Sequence, residues 1–332
     1  MRSNARWWAQ LAAVLAFVLV LAACGQAKEE TAAGGDTTEA SEPQQECGKV
    51  VINENAWAGS TANVYIAKHV LENELGCEVE VTKIAEIPVF QAMADGKVDA
   101  VLEDWQHVDQ YQTYIEEQGT VVDAGELGVV GHIGWYIPQY LMDEHPEFET
   151  WEGLKGKEDI FRTPESGNQG MFLGGDPSYV QKDKELIEAL GLNFKHVTAG
   201  AEPAQVARWS QLYKQRKPVI FYWYTPQYLN QQYELAEVEL PERFEGCKDD
   251  AKAGGDVEQY KCAYDDTVIM KLFSKKFAES GSPAVEVLRK FQLTNEDQEA
   301  VAKMIAGDKM DPDAAAAKWV SENGDKVDSW LN

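Results

Sequence analysis

The sequence predicts an α/β protein of two lobes, on three observations. Between residues 49 and 102, short apolar strands alternate with helical patterns, as in a parallel sheet with covering helices. A similar alternation returns beyond residue 154. The body, roughly 47–332, is also too long for one comfortable core and long enough for two.

The elements follow in order. Residues 49–53 (KVVIN) read as a strand. Ser60 or Thr61 is placed to cap a helix running to about Leu75, with Val64, Ala67, Val70 and Leu71 on one face and Gly76 as its stop. Residues 78–84 alternate, predicting a half-buried strand. Residues 88–94 make a short helix closed by Asp95-Gly96, and 98–102 a buried strand. Further on, Leu154 opens a segment ending at Phe161. Pro177 is read as the start of a helix carrying Leu186, Ile187 and Leu190, which Gly191 stops. Residues 202–215 read as a helix, 217–223 as an apolar strand, and 283–291, 295–306 and 312–323 as helices. No internal sequence repeat is visible. The chain is expected to cross between lobes near 131–135 and again after Tyr228. Lobe 1 is then 48–133 plus 239–332, and lobe 2 is 134–238.

Ahead of this body, Arg2 and Arg6 precede an apolar run from about 11 to 23 that ends at Cys24. Residues 1–23 read as a secretory signal peptide. The run is shorter than the roughly 20 apolar residues of a membrane span. Leu21-Ala22-Ala23-Cys24 resembles the bacterial lipobox, which implies lipidation at Cys24 and export to the outer face of the cell membrane or the periplasm. Residues 24–46 carry no aromatic residue and no apolar period, so a flexible tether is expected.

Four cysteines remain in the body: Cys47, Cys77, Cys247 and Cys262. An even number in an exported domain suggests two disulfides, with three possible pairings. Sequence neighbours are the simplest choice, Cys47 with Cys77 and Cys247 with Cys262. Zinc is the rival, but there is no C-x-x-C pair and the five histidines are scattered. The net charge of −26 argues against nucleic acid and anionic lipid, either of which needs a basic patch. There is no G-x-S-x-G elbow, P-loop or H-E-x-x-H, so no enzyme is expected, and no cofactor.

Aromatic residues gather just past predicted strand ends: Trp57, Trp105, and the pair Trp223 and Tyr224, with Tyr179 in a turn. Strand ends face the cleft in this architecture. Rings from both lobes could therefore wall one pocket. A quaternary ammonium has no N–H to donate, but the negative faces of aromatic rings hold it. A carboxylate on the same molecule could be met by N–H groups of the 177–181 turn. Strand alternation puts Trp223 and Tyr224 on opposite faces, so only one should line the box.

Several pieces in order then resemble the glycine betaine substrate-binding proteins of ABC importers. They are Trp57-Ala-Gly-Ser-Thr-Ala-Asn-Val, Met93-Ala-Asp-Gly-Lys-Val-Asp-Ala, Trp105-Gln106, Tyr222-Trp-Tyr-Thr-Pro, and a tail with Trp319 and Trp330. The resemblance implies a bilobal periplasmic-binding-protein fold with two crossover strands. It also implies an aromatic box for a trimethylammonium group, and a membrane permease with its ATPase as partners. By position, Trp105 and Tyr224 match box tryptophans, Tyr179 a third ring, and the segment with Val180 the carboxylate-binding amides. Where some members carry the carboxylate-binding histidine this chain has Asp109, with His107 two residues past Trp105. Asp104, just before Trp105, could favour a net cation. Glycine betaine is the expected ligand. Choline, carnitine or proline betaine, and a sensory surface lipoprotein, are the alternatives, and a monomer is expected.

Overall fold

The computed structural model describes residues 47–251 and 255–332. The leader, Cys24 and the 24–46 stretch lie outside the described residues. The first half opens with β1 (Lys49–Asn53), α1 (Ala58–Glu74), β2 (Glu78–Thr82), α2 (Pro88–Ala94), β3 (Ala100–Asp104) and the single turn α3 (Val108–Gln110). The long strand β4 (Val121–Pro138) follows. The second half contains α4 (Gln139–Glu144), α5 (Trp151–Leu154), β5 (Gly170–Gly174), α6 (Asp183–Leu190), β6 (Phe194–Thr198), α7 (Glu202–Lys214), β7 (Ile220–Thr225) and β8 (Leu235–Val238). The chain ends with β9 (Thr267–Ser274), α8 (Lys275–Ala278), α9 (Pro283–Lys290), α10 (Asn295–Ala302), α11 (Pro312–Glu322) and α12 (Gly324–Leu331).

The strands run in the order β2-β1-β3-β9-β4-β7-β5-β6, with β8 also on β4. Parallel ladders lie at both ends, β1 with β2 and β3, and β5 with β6 and β7. The middle is antiparallel. β4 pairs β9 from Val121 to Gly131, then β7 and β8 from His132 to Pro138. One strand thus belongs to both halves, and its partner changes between Gly131 and His132.

Several boundaries differ from expectation. Helix α1 begins earlier, with Trp57 at its cap, because the Ser60 hydroxyl accepts the Asn55 N–H (2.9 Å) and braces the preceding loop instead. The helix expected from Pro177 begins only at Asp183. Asp176 closes a tight turn first: its side chain accepts from Ser178 N–H (2.9 Å) and its carbonyl from Tyr179 N–H (3.0 Å). Strand β3 lies two residues later than expected, so Glu103 and Asp104 are in it. The disulfides are Cys47–Cys77 and Cys247–Cys262. The first ties the start of the body to the turn after α1. The second closes the loop between β8 and β9.

Candidate ligand-binding site

The site forms where the two halves face each other. From the first half, Trp57 stands between β1 and α1, and Trp105 directly follows β3. Trp105 is aimed by a tight local device. Asp104 accepts the Gln106 N–H (2.9 Å) and holds Gln106 at φ 66°, a left-handed conformation that non-glycine residues seldom adopt. Its indole then lies against Gly131 of β4, where a Cβ would come within 2.3 Å of the ring. Glycine at the partner-switch point is therefore what admits the tryptophan.

From the second half come three tyrosines. Tyr222 and Tyr224 lie on one face of β7, two residues apart, and Tyr179 leaves the Asp176 turn. Gly175 gives the rings room: a Cβ there would sit 2.9 Å from Tyr179 and 3.3 Å from Tyr222. Trp57 meets Tyr179 edge-on at 5.4 Å, and Trp105 meets Tyr224 edge-on at 5.6 Å, the T-shaped packing that ring quadrupoles favour. The five rings, with Val180 and Glu86, line a cavity of about 270 Å³.

Buried polar groups lock the rings. Glu103 of β3 accepts both indole N–H groups on one oxygen, Trp57 at 2.6 Å and Trp105 at 3.2 Å. Its other oxygen accepts from Asn63 and Gln298, each at 2.7 Å. Burial pushes its pKa up to about 8, and the indole donors pull against that shift. Four N–H donors around two oxygens fit the carboxylate form, which only accepts. Glu202, first residue of α7, accepts from the Tyr224 hydroxyl and from Gln227, and its other oxygen takes the Ala58 N–H (3.1 Å) at the start of α1. A side chain of the second half thus caps a helix of the first. Tyr179 hydroxyl accepts from Glu202 N–H (3.1 Å) and lies 3.3 Å from the Ala56 carbonyl, to which it donates. Tyr222 hydroxyl donates to Val180 O (3.3 Å).

Of the residues singled out in the sequence, Trp57, Trp105, Tyr179, Val180 and Tyr224 come together at the cavity. Trp223 does not. It projects from the other face of β7, donates to Asn230 (2.7 Å) and packs on Trp209. His107 stands behind the wall rather than in it. It is 1% exposed, with Nδ1 2.8 Å from Asp250 and Nε2 3.4 Å from Glu86, an ion-pair separation too loose for a hydrogen bond. Asp104 is turned away, toward Gln106 and the Tyr111 hydroxyl (2.8 Å), and burial raises its pKa to about 6. The amides at 178 and 179 are already used within the Asp176 turn. Two wall residues were missed. Strand alternation from Tyr224 points to Tyr222, and Glu86 follows a strand end as Trp57 and Trp105 do. Glu86 is the only charged side chain in the wall among the described residues, and its Oε1 has no hydrogen-bond partner.

A sheet shared by two halves with a ring-lined cavity between them matches the periplasmic-binding-protein fold, and the family that the chain matches is one of solute-binding receptors rather than enzymes. The chain belongs to the OpuAC family, the substrate-binding domain of ABC-type glycine betaine transport systems, matched over residues 48–322. A trimethylamine N-oxide-binding protein of Pelagibacter ubique (strain HTCC1062) is 25% identical over 288 residues, 82% of this chain and 88% of that one. Lactococcal OpuAC, closed and complexed with glycine betaine, superposes with a TM-score of 0.65 at 19% identity, covering 86% of this chain and 99% of that one. An ABC-transporter choline-binding protein in complex with choline gives 0.69 at 16% identity, covering 86% and 92%. Among the described residues, no helix is long and apolar enough to cross a membrane. By its family the chain is a substrate-binding protein of ABC-type transport.

Proposed function

We propose that the protein captures a small, fully alkylated ammonium solute in the five-ring cavity, and that Glu86 directs it toward ligands without a carboxylate. The observation that carries this reading is the lone acidic side chain in an otherwise aromatic and apolar wall. The alkylated nitrogen goes to the ring faces. Three desolvated contacts at about 2 kcal/mol each give about 6 kcal/mol. Micromolar binding needs about 8 kcal/mol. The far end of the ligand supplies the difference, and there Glu86 decides. A choline hydroxyl donates to the carboxylate, a charge-assisted bond of about 1.5–3 kcal/mol. The carboxylate of glycine betaine, the ligand expected from the sequence, would face Glu86 instead, as would those of carnitine and proline betaine. Of the turn amides expected to receive it, those of Ser178 and Tyr179 are occupied, and Val180 shares the wall with Glu86.

An amine oxide is the second reading. The trimethylamine N-oxide relative and the tight packing of the five rings favour it. Its oxygen only accepts, so a proton would have to be shared with Glu86. Titration calorimetry with choline, trimethylamine N-oxide and glycine betaine tests the order. Choline should bind at least about tenfold tighter than glycine betaine, and Glu86→Gln should narrow that gap. Glycine betaine as the tightest ligand would overturn the reading.

The wider proposal is that lobes 48–133 plus 239–332 and 134–238 close on the ligand about β4. The closed monomer, lipidated at Cys24, then presents it to an ABC permease driven by an ATPase.

A further inference from the structure

We propose that His107 is a positioning residue that sets the ligand preference of the box through Glu86, and that Asp250 completes this arrangement only when the segment 249–251 straps the two halves together. The proposal rests on the reading of Glu86 given above.

Glu86 is 3% exposed, and a carboxylate so buried calls for a partner of opposite charge. The His107 imidazole supplies it. One ring nitrogen forms an ion pair with Glu86 Oε2 at 3.4 Å, and the other bonds Asp250 Oδ2 at 2.8 Å. Burial works against the ring's charge, but the two carboxylates outweigh it and raise the His107 pKa to about 11. The ion pair holds the Glu86 carboxylate in the cavity wall, and its Oε1 has no hydrogen-bond partner. His107 thereby sets the orientation and charge environment of the one acidic group in the wall.

Asp250 comes from elsewhere. The residue before it, Asp249, accepts from the fully buried Lys182 at the start of α6 (2.8 Å) and from Arg243 (2.7 Å). The residue after it, Ala251, donates its N–H to Gln181 O (2.9 Å). Lys182 also lies 3.4 Å from Cys262 Sγ and 3.8 Å from Cys247 Sγ, at the base of the loop. Adjacent aspartates therefore grip opposite halves: Asp249 the second, through Lys182, and Asp250 the first, through His107. Separating the halves removes Asp250 from the ring, so selection is completed on closure.

The test is a double-mutant cycle read as the ratio of glycine betaine to choline dissociation constants, by calorimetry on the full body, with thermal unfolding as a check on folding. His107→Gln and Asp250→Asn should each move the ratio at least about fivefold toward glycine betaine. In a Glu86→Gln background neither should move it beyond about twofold. Asp250 lies at the rim, so Asp250→Asn carries the test if His107→Gln folds poorly. Single variants that leave the ratio unchanged, or a shift that persists without Glu86, would overturn the proposal. If Glu86→Gln alone leaves the ratio unchanged, the reading of Glu86 fails and this inference with it. If Glu86→Gln moves the ratio and His107→Gln and Asp250→Asn do not, only this inference fails.

Discussion

The two halves build the same wall by different means. The first contributes two indoles held by one buried acid, Glu103. The second contributes three phenols, each bonded to different groups: Tyr179 to the Ala56 carbonyl and the Glu202 backbone N–H, Tyr222 to the Val180 carbonyl, and Tyr224 to the Glu202 carboxylate. An indole has a single donor, so one carboxylate oxygen can serve two rings. A hydroxyl donates and accepts, so each phenol can settle into its own surroundings. The first half is centralised and should fail as a unit. The second is distributed and should fail one ring at a time.

The largest expected effect is at the central acid. Glu103→Ala strands four buried donors, and each lost acceptor costs roughly 1–3 kcal/mol. Stability should fall by about 3 kcal/mol or more in urea unfolding, and ligand affinity at least about a hundredfold. A loss no greater than that of a single ring would break the comparison. Next comes Trp105→Ala, which should weaken binding at least about tenfold with the fold intact, followed by calorimetry and far-ultraviolet circular dichroism. Tyr222→Phe sharpens the contrast from the other side. It removes one hydrogen bond to Val180 and keeps the ring, so less than about a tenfold loss of affinity is expected.

The smallest effect concerns the strand the halves share. His132, just past the partner switch, lies 2.8 Å from Glu237 and 2.8 Å from Asp266. The hydrogen bond to Glu237, against some burial, raises its pKa to about 9. The folded value exceeds the unfolded one of about 6.5. Its stabilisation is therefore complete below about pH 6.5 and is lost as pH rises through about 9. Thermal unfolding should show a drop of a few degrees over that window, and His132→Gln should flatten it. An unchanged profile in the variant would show that His132 is not the group responsible.

Much of this was legible locally. Strand β1 and helix α2 fall where pattern and proline placed them, because their signals are periodic and bounded. Three of the five rings followed from the strand-end rule, and Tyr179 from its turn. Tyr222 was legible too, since alternation from Tyr224 reaches it. Helix α6 misled because a proline after Gly-Gly-Asp reads as a helix start, while the Asp176 side chain and carbonyl close a turn there. What lay beyond reach depends on groups distant in sequence. Glu103 finds Gln298, Glu202 finds Ala58, and Lys182 finds the 247–262 loop only after the sheet has brought the halves together.

The double grip of Glu103 has a bearing on how such a receptor can change over generations. Because both indoles are immobilised in advance, an incoming solute spends little of its binding energy on ordering them. New preferences can then arise by exchanging phenols on the opposite wall, one at a time, while the tryptophan pair is inherited as a finished part.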